Sequence, residues 1–153
     1  MAHIHEKIDW TVEVCVVYKD KVLLRKHDKY KIWLTIGGHI ELNEDPTQAA
    51  VREVKEEVGL DVTLVDDLLK FKIATPKYTE LIPPKFLNRH PINDTHEHIS
   101  LTYFARATSD TVIPEKPTDE WRWFTLQELE ENKEGMEERV LNYAKQALRE
   151  LAS

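Results

Sequence analysis

Residues 45 to 59 read DPTQAAVREVKEEVG, and both ends of a helix are written into them. Asp45 supplies an N-cap oxygen, Pro46 suits the first helical position, and Gln48 completes a capping box. Gly59 fits the position after the last turn, where a left-handed backbone ends helices. A helix is therefore predicted over Pro46 to Val58. At about 100° per residue, Ala50, Val51, Val54 and Val58 fall on one side. Glu53, Glu56 and Glu57 fall within about 100° of one another on the other side.

The stretch that precedes this helix is extended in character. Residues 11 to 18, TVEVCVVY, put Val12, Val14, Val16 and Tyr18 on one face of a strand. Residues 19 to 21, KDK, turn the chain into VLLR, which makes a hairpin. A short strand is expected at 32 to 36, ending in Gly37 and Gly38, where backbone can take conformations closed to other residues. Further strands are expected at 68 to 74 (LLKFKIA), 99 to 107 (ISLTYFARA) and 121 to 124 (WRWF). Thr125 and Glu128 form a capping box for a short helix. Met136, Val140, Tyr143, Ala144, Ala147, Leu148 and Leu151 then recur at helical spacing, as a core-facing stripe does. Residues 75 to 95, with Pro76, Pro83, Pro84 and Pro91, read as one long irregular loop.

Composition narrows the function. The chain has 153 residues, 41% of them hydrophobic, which suits one domain, residues 1 to 153, with a sizeable core. Its formal net charge of -7 opposes nonspecific adherence to nucleic acid or an anionic membrane, both of which need clustered lysine and arginine. Cys15, the single cysteine, lies in an apolar run and reads as a core residue. The absence of a signal peptide or an apolar run of about 18 residues leads us to expect a cytoplasmic protein. His3 and His5, in MAHIHE, read as an edge or disordered segment without a site. Trp10, Trp121 and Trp123 read as core or edge packing.

The glutamate cluster is the chemical signal. Taken alone it could be a solvated helix face, since glutamate is a good helix former. Two carboxylates about 5 Å apart, however, repel by about 3 kcal/mol at an effective dielectric of 20. A divalent cation reverses that sign. Carboxylate oxygens suit magnesium or manganese, and Gly37 and Gly38 would let backbone approach a metal or a phosphate. Structural zinc has no support: there is no cysteine pair, and His96-Glu97-His98 lacks the spacing of a zinc-protease helix.

From Gly38 to Leu60, GHIELNEDPTQAAVREVKEEVGL resembles the Nudix box. The positions that carry the resemblance are Gly38, Glu44, Arg52, Glu53, Val54, Glu56, Glu57, Gly59 and Leu60. Trp33 ahead of Ile36-Gly37-Gly38, and EWRWFTLQEL at 120 to 129, extend it beyond the box. Ile36, where many members have proline, and Leu42-Asn43, where Pro-Gly is frequent, depart from the pattern away from any ligand position.

The resemblance implies an α/β fold, a Nudix-like α/β/α sandwich around a mixed β-sheet. It implies a magnesium- or manganese-dependent pyrophosphohydrolase that cleaves the diphosphate linkage of a nucleoside diphosphate joined to another group. Nucleoside triphosphates, nucleotide sugars and dinucleotides all fit that description. Carried over by residue, Glu56 and Glu57 are metal ligands, Glu53 is a third ligand or the base for water, and the Gly37 or Gly38 carbonyl completes the shell. Arg52 and Glu44 orient these groups. Glu97, from a late loop, is the alternative base, and His96 and His98 could contact phosphate. The expected partner is a small nucleotide rather than nucleic acid or membrane, and the protein is expected as a monomer or homodimer. Pro76 and Tyr78 point to different substrates and cancel. Lys85 and Arg89, in the proline-rich segment, are the expected substrate-binding cations. A Nudix fold can also serve as a non-catalytic nucleotide-binding or sensing module, and that reading stays open alongside the enzyme.

Overall fold

A computed structural model of the chain describes residues 6 to 153, so His3 and His5 lie outside the described residues. The longest early element is strand β1 (Ile8–Tyr18), followed by β2 (Lys21–Lys26), β3 (Trp33–Leu34) and β4 (Ile36–His39). Helix α1 (Pro46–Val58) leads to β5 (Val62–Leu64), a small hairpin of β6 (Ala74–Thr75) and β7 (Tyr78–Thr79), then β8 (Phe86–Asn93) and β9 (His96–Ala107). Strand β10 (Glu120–Phe124) and helices α2 (Leu126–Glu131) and α3 (Glu138–Leu151) complete the order.

The main sheet is mixed. Its path runs β10-β2-β1-β9-β5, with β3 on β2, β4 on β1 and β8 on β9. The β1–β9 pair is parallel, from Ile8 opposite Glu97 to Val17 opposite Arg106. The other pairs are antiparallel.

Both faces of β1 are covered, which explains its near-continuous apolar run. Val12, Val14 and Val16 pack with Ala49, Ala50, Val54 and Val58 of α1. Cys15 and Val17 point the other way, toward Val140, Ala144, Ala147 and Leu148 of α3 and Leu129 of α2. Sheet between helices is the sandwich that the sequence led us to expect. Burying one such valine fully is worth about 1.5–3 kcal/mol, so β1 alone ties both layers to the sheet.

Helix α1 has the boundaries read from its caps. Asp45 Oδ1 accepts the Gln48 amide at 2.9 Å, and Gln48 Oε1 accepts the Asp45 amide at 2.9 Å. Gly59 ends the helix at φ 68°, a conformation that costs other residues energy. Two details differ from the wheel. Val51 is 41% exposed, and Glu53 is 5% exposed, so the buried side of α1 reaches round to a glutamate. The Thr125–Glu128 capping box is also present.

Two expected elements are corrected. Residues 68 to 73 form no strand, because the carboxylate of Glu80 takes the amides of Lys70 and Phe71 at 2.8 and 2.9 Å, groups that a ladder would need. Only Ala74–Thr75 is extended and paired, with Tyr78–Thr79. The expected loop from 75 to 95 contains the eight-residue hairpin arm β8, with Phe86 opposite Thr102 and Pro91 opposite Glu97. Pro91 is tolerated because β8 pairs only with β9, and an edge position needs no amide on its free side. The stretch at 32 to 36 divides into β3 and β4 around Thr35, and Met136 lies just before α3, in a bridge with Trp33. Trp33 packs edge-on against Phe124 at 4.9 Å between ring centres, whereas Trp10 is 48% exposed. No helix among the described residues is long and apolar enough to cross a membrane.

Candidate active site

The site starts from how closely β4 lies against α1. A side chain at Gly38 would put its Cβ 2.3 Å from Glu53 Oε1, so only glycine leaves room for the carboxylate. Glu53, although buried, is thereby held against the backbone of the glycine pair. Burial pushes its carboxyl above the usual range, and the neighbouring Arg52 guanidinium only partly opposes this.

Arg52 ties the glutamates together. Its Nη1 donates to Glu53 Oε1 at 3.0 Å and to Glu56 Oε2 at 3.1 Å. Its Nη2 donates to Glu44 Oε1 at 2.6 Å and to the His39 carbonyl at 3.1 Å, and its Nε donates to Glu44 Oε2 at 2.9 Å. Hydrogen bonding from Arg52 holds the Glu44 carboxyl below its usual range. Glu44 Oε1 also accepts the Glu41 amide at 2.9 Å, which fixes the turn before α1.

Glu57, one residue beyond Glu56, faces a cleft of about 200 Å³. Gly37, Gly38, Arg25, Arg139, Glu13 and His98 are among its walls. Burial, followed by the charge of Glu53, pushes the Glu57 carboxyl up to about 8, and the Gly37 amide and Arg25 do not offset this. Glu13 is likewise raised by burial although it is ion-paired with Arg139. Both carboxyls of the cleft are therefore raised chiefly by burial, with Arg25 and Arg139 beside them.

The structure brings together Gly37, Gly38, Arg52, Glu53, Glu56 and Glu57 as the sequence suggested. Three other candidates lie elsewhere. Lys85 Nζ pairs with Asp67 at 2.6 Å and Glu150 at 2.9 Å, near the side of α3 and away from the glycine pair. Arg89 Nε pairs with Glu97 Oε2 at 3.1 Å across the β8–β9 hairpin, and neither residue lines the glutamate cleft. The cations that do line it, Arg25 and Arg139, escaped sequence reasoning. Arg25 lies inside a strand and Arg139 on α3, and no local motif marks either one. The pairing of β2 with β10 and β3 brings Arg25 here, and the ion pair with Glu13 of β1 brings Arg139.

A mixed sheet between helices, with a glycine pair pressed against a helix of aligned glutamates, defines a class of domain. The family model of the NUDIX domain matches residues 9–144, and the chain belongs to that family. A hydrolase of the NUDIX family from Clostridium perfringens is similar in structure, with 39% identity and a TM-score of 0.80, over 92% of this chain and 96% of that one. The NAD-capped RNA hydrolase NudC of Photobacterium profundum is 27% identical over 116 residues, 74% of this chain and 44% of that protein. Dihydroneopterin triphosphate diphosphatase of Escherichia coli is 42% identical over 53 residues, 31% of this chain and 35% of that protein. The chain thus spans less than half the length of these two curated relatives.

Proposed function

We propose that the protein hydrolyses the diphosphate linkage of a nucleoside diphosphate joined to another group, with magnesium or manganese held by Glu53, Glu56 and Glu57 and a carbonyl of Gly37 or Gly38. The observation that carries this reading is the placing of Glu53 and Glu57 beside the glycine backbone, with Glu53 raised by burial and by the charges of Glu56 and Glu44, and Glu57 by burial and the charge of Glu53. An all-oxygen donor set fits a hard divalent cation. When bound, that ion would neutralise charge on the diphosphate and lower the pKa of coordinated water.

The protein's own groups do the rest. Arg52 holds Glu53 and Glu56 in one orientation through bonds of 3.0 and 3.1 Å. Glu53, whose carboxyl burial raises, is a third metal ligand or the base that takes the proton from the attacking water. Arg25 and Arg139 bind the phosphate oxygens from the opposite wall of the cleft. Arg25 Nε is buried without a hydrogen-bond partner among the described residues, which favours an anionic ligand there. Glu97, tied to Arg89, is the second candidate for the base.

The test is release of phosphate, pyrophosphate or nucleoside monophosphate from a panel of nucleoside triphosphates, nucleotide sugars and dinucleotides. Turnover should require magnesium or manganese and stop in excess chelator. Nucleotide binding without any turnover would make the protein a sensing module instead.

A further inference from the structure

A second cluster lies on the sheet face turned away from α1, and strand register creates it. In the parallel pairing, Asp9 of β1 stands opposite His98 of β9. In the antiparallel pairing, Thr11, two residues on and on the same face of β1, stands opposite His39 of β4. Three neighbouring strands therefore deliver His39, Asp9 and His98 to one face. Sequence reading could not assemble them, since 89 residues separate Asp9 from His98 in the chain.

The geometry suits a metal ion. One ligand atom from each of Asp9, His39 and His98 lies within 4.8 Å of the others. His39 Nε2 is 3.2 Å from Asp9 Oδ2, close to the donor–donor edge of about 3.3 Å in a tetrahedral site with bonds of about 2.0 Å. The rings of His39 and His98 meet edge-on, 5.1 Å between centres. Asp9 is 1% exposed. Buried His96 lies against the same oxygen, with Nε2 3.0 Å from Asp9 Oδ2 and Nδ1 3.2 Å from the Glu6 carbonyl oxygen. Carboxylate ligands of metals are themselves held by outer hydrogen-bonding groups.

From this geometry we infer a second metal site, formed by Asp9, His39 and His98, that takes a borderline divalent ion such as zinc, cobalt or nickel. Two imidazoles and one carboxylate suit those ions and not magnesium, which prefers oxygen ligands throughout. His39 and His98 also line the cleft that Glu57, Arg25 and Arg139 share. The three protein ligands leave a fourth position toward that cleft, open to water or to an anionic group of a bound molecule. The site does not depend on the hydrolase reading, because its ligands are separate from the glutamates.

The decisive experiment is titration of the metal-free full-length protein with cobalt(II) in the presence of excess magnesium, followed by visible absorption and by equilibrium dialysis. One equivalent should bind, with the d–d bands of a four- or five-coordinate nitrogen and oxygen site. Glu57→Gln should leave both readouts unchanged. His98→Gln and His39→Gln should each weaken cobalt binding by at least about 10-fold, and His96→Gln by about 10-fold. Asp9→Asn should abolish it; should that buried variant fail to fold, the two histidine variants decide. Cobalt binding that magnesium displaces, or that survives both histidine substitutions, would overturn the site. Absence of hydrolysis would leave the result unaffected.

Discussion

Arg52 grips Glu44 with two nitrogens, Nη2 on Oε1 at 2.6 Å and Nε on Oε2 at 2.9 Å, while its third nitrogen holds Glu53 and Glu56. The turn before α1 is thereby fastened to the face that carries the glutamates. Arg52→Ala should lower unfolding free energy by about 1.5–3 kcal/mol, read from urea midpoints, and should reduce turnover as well. Arg52→Lys should recover little of either, because a point charge cannot reproduce the two-pronged contact. Full activity in Arg52→Lys would reduce the guanidinium to a charge-balancing role.

Glu57 gives a pH signature in metal-free protein. Folded Glu57 keeps its proton up to about 8, while in the unfolded chain it releases it near 4.5. The folded state therefore binds more protons between those values, and stability falls as pH rises through the window. His98, which burial and the neighbouring histidines push down to about 4 from 6.5, gives the opposite slope below 6.5. Melting temperatures from pH 6.5 to 8 should thus decline in the wild type. The decline should be shallower in Glu57→Gln or with added magnesium, and Glu57→Gln should also lose most turnover. An equal slope in both proteins would remove Glu57 as its source.

Gly38→Ala separates chemistry from folding. The new methyl would fall 2.3 Å from Glu53 Oε1, and the carboxylate, as the end of a side chain, can swing away at modest cost to stability. A displacement of about 1 Å can cost about 100-fold in rate, so we expect a loss of that order in kcat with a small change in melting temperature. Unaltered kcat would mean that Glu53 is not needed where it stands.

Arg25 and Lys85 make a paired test of where the substrate lies. Arg25→Gln should raise KM for each nucleotide that turns over, because it removes a cation from the cleft wall. Lys85→Ala should leave the ranking of substrates intact and cost about 1 kcal/mol of stability, as it breaks surface pairs with Asp67 and Glu150. A reordered substrate ranking in Lys85→Ala would return the pocket to the proline-rich segment. Glu97→Gln in the same assays would lower kcat on all substrates if Glu97 is the base.

The helix and its glutamates were legible because their information is local. Asp45, Gln48 and Gly59 mark α1 within 15 residues, and the three glutamates share a face by spacing alone. Strand β8 was hidden because the prolines of residues 75 to 95 argue for a loop, and only an edge position, a property of the finished sheet, lets Pro91 stay. The exposed Leu68, Phe71 and Ile73 imitated a strand that Glu80 prevents. Arg25, His39 and His98 come together through strand pairings and Arg139 through the packing of α3 against β1, and no spacing along the chain encodes that.

The parallel partnership of β1 and β9 also sets an order of assembly. Strands β1, β2 and β4 and helix α1 lie within the first 58 residues, so the glycine pair can meet the glutamates through contacts of short range. The wall bearing His98 must wait for a closure across 89 residues, a slow search compared with helix formation. During synthesis the carboxylate face would exist before it had a cleft to serve. Until β9 arrives, one side of β1 remains an open template for any other extended segment, which makes this edge the point where folding and aggregation compete.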